Sequence, residues 1–193
     1  SVIVGMSGGV DSSTTAWYFK SRGYRVVGVT VRFLGPDFDT HRRTCCNDAA
    51  VLSARGFCER IGIEHRVVEA VERFEREVID YFLREYRMGR TPNPCVICNE
   101  RVKFPVLAEL ADEMGIRWIA TGHYARVIRR KDGRRFIAMA MDMEKDQSYF
   151  LYRVPVSIIE RTMFPLGTMT KEKVKELYSR LDFKLPPREE SQD

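Results

Sequence analysis

Six residues near the start of the chain, Ser7-Gly8-Gly9-Val10-Asp11-Ser12, combine groups suited to holding an oxyanion. Two adjacent glycines let the backbone approach a phosphate with its N–H groups turned inward. A helix starting behind them would add the positive end of its dipole. Ser7, Ser12 and Ser13 supply hydroxyl donors, and Asp11 could help hold Mg²⁺ beside a pyrophosphate. The string lacks the Gly-Lys-Ser/Thr ending of a Walker loop and is not Gly-x-Gly-x-x-Gly, which disfavours kinase and dinucleotide readings. A plain Gly-Gly turn capped by Asp11 is the generic alternative.

A second string, Thr91-Pro92-Asn93-Pro94-Cys95-Val96-Ile97-Cys98-Asn99, is suited to thiol chemistry. Its prolines pre-set an extended backbone. A helix is expected to begin near Asn99, leaving Cys98 just before its N-terminus with Arg101 and Lys103 close in sequence. A thiol so placed is favoured as the thiolate and is nucleophilic. As zinc ligands Cys95 and Cys98 supply two of about four, and the adjacent Cys45-Cys46 complete such a set poorly. An iron–sulfur cluster on Cys95, Cys98 and a third ligand suits the place better, beside the expected active edge. Cys58, on an apolar helix face, reads as core.

The elements that must position these strings follow from periodicity. Residues 2–6 form a short apolar strand and 11–22 a helix stopped near Gly23. Residues 25–33 form a second strand, and Gly35-Pro36-Asp37 then opens a polar loop through Arg43. Helix 47–61 ends at Gly62, and 65–68 is a third strand. Helix 71–86 carries Val71, Phe74, Val78, Tyr81, Phe82 and Leu83 on or beside one stripe. After a Gly- and Pro-containing loop come helix 99–114 and strand 118–121. Residues 124–128 and 136–141 flank the hairpin signal Lys131-Asp132-Gly133, and helix 171–181 follows Thr168 and Thr170 as caps. Alternating strands and helices predict an α/β fold with a mostly parallel sheet and right-handed crossovers. Ligands sit at the carboxyl ends of such strands, which gathers Ser7–Ser12, the loop after Phe33 and Thr121-Gly122-His123 on one edge.

Composition bounds these readings. The chain has 193 residues and is 44% hydrophobic, enough for one α/β domain with a small appendage. A chain of this size buries roughly 70% of its unfolded surface. No apolar run nears the ~18 residues of a membrane span, and no signal peptide is seen, so a cytoplasmic location is expected. Five cysteines, an odd number, read as reduced thiols rather than a disulfide framework. Lys and Arg outnumber Asp and Glu by 32 to 27, a weak pointer to an anionic partner. His123, inside Thr-Gly-His-Tyr, is a candidate to orient a phosphate or act as a base, whereas His41 and His65 lack such context. Tyr149, Phe150 and Tyr152 could stack bases, but read more readily as an aromatic helix face packing the core; Asp142, Glu144 and Asp146 suit metal binding or, equally, a solvated acidic stretch.

Two later strings complete a pattern: Ala120-Thr121-Gly122-His123-Tyr124-Ala125-Arg126 and Lys145-Asp146-Gln147-Ser148-Tyr149-Phe150-Leu151. The phosphate loop alone resembles the PP-loop ATP pyrophosphatases. With the cysteine loop and these two strings, the sequence resembles the tRNA-specific 2-thiouridylases. The resemblance implies ATP and Mg²⁺, adenylation of the 2-oxygen of the wobble uridine, and its replacement by sulfur. Gly5, Met6, Ser7, Gly8, Gly9, Val10, Asp11 and Ser12 match the ATP loop, and Val31 and Gly122 match further ATP contacts. Asn93, Pro94 and Cys95 match the segment touching the target base. Cys98 matches the nucleophile, so Cys98 and Asp11 are the catalytic candidates. Lys145, Asp146 and Gln147 match a tRNA-contacting segment. The partners implied are tRNA and a cysteine desulfurase or sulfur-carrier protein. Arg129-Arg130-Lys131 and Arg134-Arg135 are a candidate tRNA backbone contact or a solvated tip. Residues 1–153 are expected to form the catalytic domain and 154–193 the start of a small helical linker region. The family's middle domain, C-terminal barrel and second, persulfide-carrying cysteine would lie past Glu189-Glu190-Ser191-Gln192-Asp193, making these residues a fragment or a short relative. An amide-forming PP-loop synthetase, with no need of Cys98, and a non-catalytic ATP- or tRNA-binding remnant are the rival readings.

Overall fold

The computed structural model describes residues 1–35, 48–181 and 183. The polar loop through Arg43, His41, Cys45-Cys46 and the last residues Glu189 to Asp193 lie outside them. Strand β1 (Val2–Gly5) is apolar and buried, and it runs into helix α1 (Val10–Lys20). Next come β2 (Val26–Arg32), α2 (Asp48–Arg60) and β3 (Glu64–Glu69). After two further helices, β4 (Trp118–Ala120), the hairpin strands β5 (Arg126–Arg129) and β6 (Arg135–Ala138), and β7 (Thr162–Met163) complete the strands.

The main sheet has the order β3-β2-β1-β4-β7, and every neighbouring pair in it is parallel. The chain winds outward from β1 through β2 to β3, then returns to place β4 on the other side of β1. Val2 therefore pairs with both Val26 and Trp118. The loops after β1 and β4 leave this switch point side by side, where an open parallel sheet forms its binding crevice.

Alternation along the strands sends side chains into two separate layers. Ile3, Val27, Val29 and Ile119 pack with Phe104, Leu107 and Ala111 on one face. Val2, Val4, Met6 and Ala120 pack with Ala16, Phe19, Ala54 and Phe57 on the other. Burial on both faces is why β1 reads as an unbroken apolar run.

Two helices differ from the sequence-based expectation. The third, α3, passes from Val71–Phe74 through a π-helical turn at Glu75–Ile79 into Asp80–Arg87. The wider turn rotates the later residues around the axis, so Val78 is fully buried while Leu83 faces solvent. The fourth, α4, begins at Pro94, five residues before the expected start at Asn99. It runs through Pro94–Cys98, a π-helical Asn99–Lys103 and Phe104–Glu113. The Asn93 side chain accepts the N–H groups of Cys95 (3.0 Å) and Val96 (3.2 Å), and Pro94 fills the first helical position, where its missing N–H costs nothing.

Beyond residue 153 come helix α5 (Val156–Ile159), the Pro165–Thr168 turn and helix α6 (Lys171–Ser179). Thr170 caps α6 through the Lys173 N–H, as expected, whereas the Thr168 hydroxyl turns back to the Pro165 carbonyl. This stretch also supplies β7 to the main sheet and packs α6 against α1. Tyr149 and Tyr152 face solvent, contrary to the expected core-packing face. It is Leu151, at the end of this short 3₁₀ segment, and Val154 beyond it that turn into the core.

Helix α2 provides a test of the packing. Phe57 is fully buried between the rings of Tyr178 and Phe183, while Leu52 on the same helix is 65% exposed. Phe57→Ala should destabilise the chain by about 3–5 kcal/mol in urea unfolding. Leu52→Ala should cost no more than about 0.5 kcal/mol.

Candidate functional site

The Ser7–Ser12 loop is built from the inside by its own hydroxyls. Ser12 Oγ accepts the Ser7 N–H (3.2 Å), lies 3.3 Å from Ser7 Oγ and donates to the Gly9 carbonyl (3.1 Å). Gly8 turns the chain at φ +74°, a left-handed conformation that suits glycine, and a Cβ there would sit 2.4 Å from the Ala50 carbonyl oxygen. The Gly8 carbonyl accepts the buried Ser53 hydroxyl at 2.9 Å, which ties the loop to α2. Gly9 is the extended residue preceding α1, with no side-chain cap, so the first N–H groups of the helix point toward the loop. Such a backbone arrangement has the form of a cradle suited to an anion.

Gly122 closes the other side of the cradle. A Cβ there would meet the Asp11 carbonyl carbon and the Ser12 nitrogen at 2.9 Å, so the loop after β4 lies backbone to backbone against the first turn of α1. Val31 buries its side chain in the core near the carboxyl end of β2. The Met6 N–H bonds the Val29 carbonyl at 2.7 Å, so by two-residue alternation the backbone groups of Val31 face the side on which β1 ends. The loop after β1, the end of β2 and the Thr121-Gly122-His123 turn thus share one edge.

Asp11 is not an isolated carboxylate. Lys171 Nζ lies 2.8 Å from both of its oxygens, and the Tyr124 hydroxyl donates to Oδ1 at 3.0 Å. Lys171 is 5% exposed, and its backbone N–H is held by Asp142 Oδ2 at 2.8 Å. Sequence reasoning missed this lysine. It opens a helix 160 positions from its partner, and nothing local distinguishes it from the lysines around it.

His123 packs against the rings of Phe104 and Phe164, and its Nδ1 lies 2.7 Å from the Thr121 hydroxyl. Burial, and then the charge of Lys103, hold the imidazole well below its ordinary pKa, so it is neutral at pH 7. A neutral ring can donate or accept one hydrogen bond; it does not offer a phosphate a full positive charge.

The early start of α4 exchanges the environments expected for the two thiols. Cys98 lies in the second turn and is 9% exposed, so the helix-terminus setting assigned to it does not hold. Cys95, in the first turn, is the exposed thiol. Cys58 is fully buried, and desolvation pushes it up to about 12. Among the described residues no three His, Cys, Asp or Glu side chains gather in a metal-holding group.

The Lys145-Asp146-Gln147 string works largely inside the fold. Asp146 accepts the Ala140 N–H and the Ser148 hydroxyl, each at 2.6 Å. Gln147 accepts the Tyr124 N–H at 3.0 Å and donates its own N–H to the Tyr124 carbonyl at 2.8 Å. Lys145 is exposed. Asp142 and Asp146 are therefore partners of backbone N–H groups, not a solvated acidic stretch. At the hairpin tip, Arg134 pairs with Asp132 at 2.7 Å and Arg130 lies over the Phe136 ring. His65, elsewhere, lies 2.9 Å from the Thr30 hydroxyl in the β2–β3 ladder.

A five-stranded parallel sheet with a glycine loop at its switch point, running into an uncapped helix, defines an α/β domain of the PP-loop class. The chain belongs to the tRNA methyl transferase HUP domain family, whose sequence model matches residues 1–193. It is 45% identical over 192 residues to the "tRNA-specific 2-thiouridylase MnmA 1" of Syntrophus aciditrophicus, covering 100% of this chain and 51% of the relative. It is 44% identical over 193 residues to the "tRNA-specific 2-thiouridylase MnmA" of Afipia carboxidovorans, covering 100% and 49%. The chain thus spans about half the length of these curated relatives. Among solved structures, its fold is similar to a "predicted subunit of tRNA methyltransferase" from Methanocaldococcus jannaschii, with TM-score 0.53, 22% identity and coverage of 92% and 73%. An NH3-dependent NAD synthetase from Campylobacter jejuni shares the fold at TM-score 0.57 and 15% identity, with coverage of 95% and 64%.

The depressed His123 makes a pH prediction. Its folded pKa lies below its unfolded value of about 6.5, so the stability gained by keeping it neutral is present above that value and lost as pH falls toward the folded pKa. His65 is shifted the same way, mainly by burial. Urea midpoints should fall between pH 7.5 and pH 5, and His123→Gln should flatten that slope more than His65→Gln does.

Proposed function

We propose that this chain is the ATP-binding, adenylating part of a tRNA-uridine 2-sulfurtransferase. The observation that carries the reading is the backbone cradle of Ser7–Ser12 at the sheet's switch point, shared with the Gly122 turn. The names of the curated relatives supply the substrate class. Gly5 to Ser12, Val31 and Gly122 bind ATP, with the loop amides around its phosphates. The uridine 2-oxygen attacks the α-phosphorus, and pyrophosphate leaves with the α–β bridging oxygen. A sulfur nucleophile then adds at C2, and AMP departs carrying the original oxygen. Adenylation is what turns that oxygen into a leaving group.

Asn93, Pro94 and Cys95 stand at the target base, and Cys98 is the nucleophilic thiol: its thiolate attacks the inner sulfur of a persulfide brought by a cysteine desulfurase or sulfur carrier, forming a disulfide with the donor cysteine and releasing the hydrosulfide that adds at C2. Lys145, Asp146 and Gln147 form the tRNA-contacting segment, with Asp146 and Gln147 also holding it to the fold. The arginine-rich hairpin is a further backbone contact. Mg²⁺ would arrive on the nucleotide phosphates, next to an Asp11 already paired with Lys171. An iron–sulfur cluster would need a third ligand beside Cys95 and Cys98; the described residues offer none, and no step is routed through one. Among the described residues no helix is long and apolar enough to cross a membrane, and a cytoplasmic enzyme is the setting this chemistry suits.

The test is incubation with ATP, Mg²⁺, a cysteine desulfurase with cysteine as persulfide source, and unmodified tRNA, with AMP and 2-thiouridine followed by mass spectrometry. The expected outcome is tRNA-dependent AMP release with 2-thiouridine formation. Cys98→Ser should lower thiolation by at least about 10³-fold while leaving ATP binding intact, and Cys95→Ser should lower it far less. Undiminished thiolation by the Cys98→Ser protein would contradict the assignment.

A further inference from the structure

The pair that joins Asp11 to Lys171 raises an electrostatic question. A carboxylate in the first turn of α1 is well placed for the helix dipole. It is badly placed for an anion cradle, because its negative charge stands where phosphate oxygens are to be received. The structure supplies a compensating cation from 160 positions away. The Lys171 side chain is 6% exposed and that of Asp11 33%, so the ammonium lies beneath the carboxylate and the carboxylate forms the lip of the site. Three further contacts fix the geometry. The Tyr124 hydroxyl bonds the same carboxylate, the Lys171 ammonium lies 5.6 Å from the Tyr124 ring centroid, and Asp142 holds the Lys171 backbone N–H. Tyr124 belongs to the wall of the site. Tyr124 follows Gly122 by two residues, and Gln147 grips the backbone of Tyr124 from both sides.

We propose that Lys171 is a positioning residue of the nucleotide site: its ammonium neutralises Asp11 and holds it against Tyr124, so that the Ser7–Ser12 loop presents a net favourable field to the phosphates of ATP. This rests on the reading of that loop as the ATP site. Removing the lysine alone leaves an uncompensated carboxylate at the rim of the cradle, which repels phosphates and disturbs the first turn of α1. Removing both charges should restore most of the field, because the repulsive group goes with its partner. A mere strut between α6 and α1 would show no such rescue, and its loss would weaken all ligands alike.

The experiment is isothermal titration of wild type, Lys171→Met, Asp11→Asn and the double variant with two probes, ATP and adenosine, without Mg²⁺. Lys171→Met should weaken ATP by at least about tenfold and leave adenosine within about twofold of wild type. Adding Asp11→Asn to Lys171→Met should recover most of the lost ATP affinity. Adenosine binding also reports that each variant is folded, and the double variant carries no lone buried charge. Wild-type-like ATP affinity in Lys171→Met, equal losses for both probes, or a double variant no better than Lys171→Met would each overturn the proposal while leaving the ATP site standing. Wild type that binds neither probe would overturn the site and the proposal together.

Discussion

The constraint on which the rest of this structure depends is the backbone-to-backbone contact between the loops after β1 and β4. Gly122 brings its chain to within 2.9 Å, measured from where a Cβ would be, of the first turn of α1. Only a parallel sheet whose winding reverses between β1 and β4 puts those two loops side by side. Only a residue without a side chain lets them close. The cradle, the Asp11–Tyr124 bond and the Lys171 pair all require that approach. Charge chemistry at the site is therefore set by a packing fact about glycine and sheet order rather than by any one reactive group.

Around this contact the molecule divides its work by face and by edge. The two apolar layers fix the strands and leave the carboxyl edge to the loops. The α4 face of the sheet carries the cysteine segment, whose entry is fixed by the Asn93 cap and Pro94. The π-helical turn beginning at Asn99 follows Cys98 directly, and the Asn99 amide donates to the Phe150 carbonyl at 3.1 Å. The thiol segment is thereby joined to the Lys145–Leu151 string, which in turn grips Tyr124 through Gln147. A chain of contacts thus links segments far apart in sequence to the phosphate loop.

Much of this was legible in the sequence because it is written in local signals. The apolar run before Ser7, the Asp-Gly hairpin signal and the alternation of strands with helices each depend on neighbours a few residues apart. What escaped has identifiable causes. The start of α4 is signalled by Asn93-Pro94, but prolines equally mark extended chain, and that reading gives Cys98 a helix terminus that belongs to Cys95. The π-helical turns in α3 and α4 break the regular helical period on which stripe counting relies. A two-residue strand such as β7 has no periodicity to detect. Lys171 carries no local mark at all, since its meaning comes from a partner at the other end of the chain. Some site residues matched by resemblance are backbone positions at the sheet edge, and others, such as Asp146 and Gln147, are side chains that the fold itself employs.

The central claim is that phosphates are received by the backbone amides of the Ser7–Ser12 loop. The most direct measurement is a ¹H–¹⁵N NMR titration of the isotopically labelled chain with ATP and, separately, adenosine. ATP should cause large, specific shifts at the amides of Gly8, Gly9, Asp11 and Ser12, with adenosine perturbing the end of β2 near Val31 and leaving those amides nearly still. ATP shifts that bypass the loop, or equal loop shifts with adenosine, would contradict it.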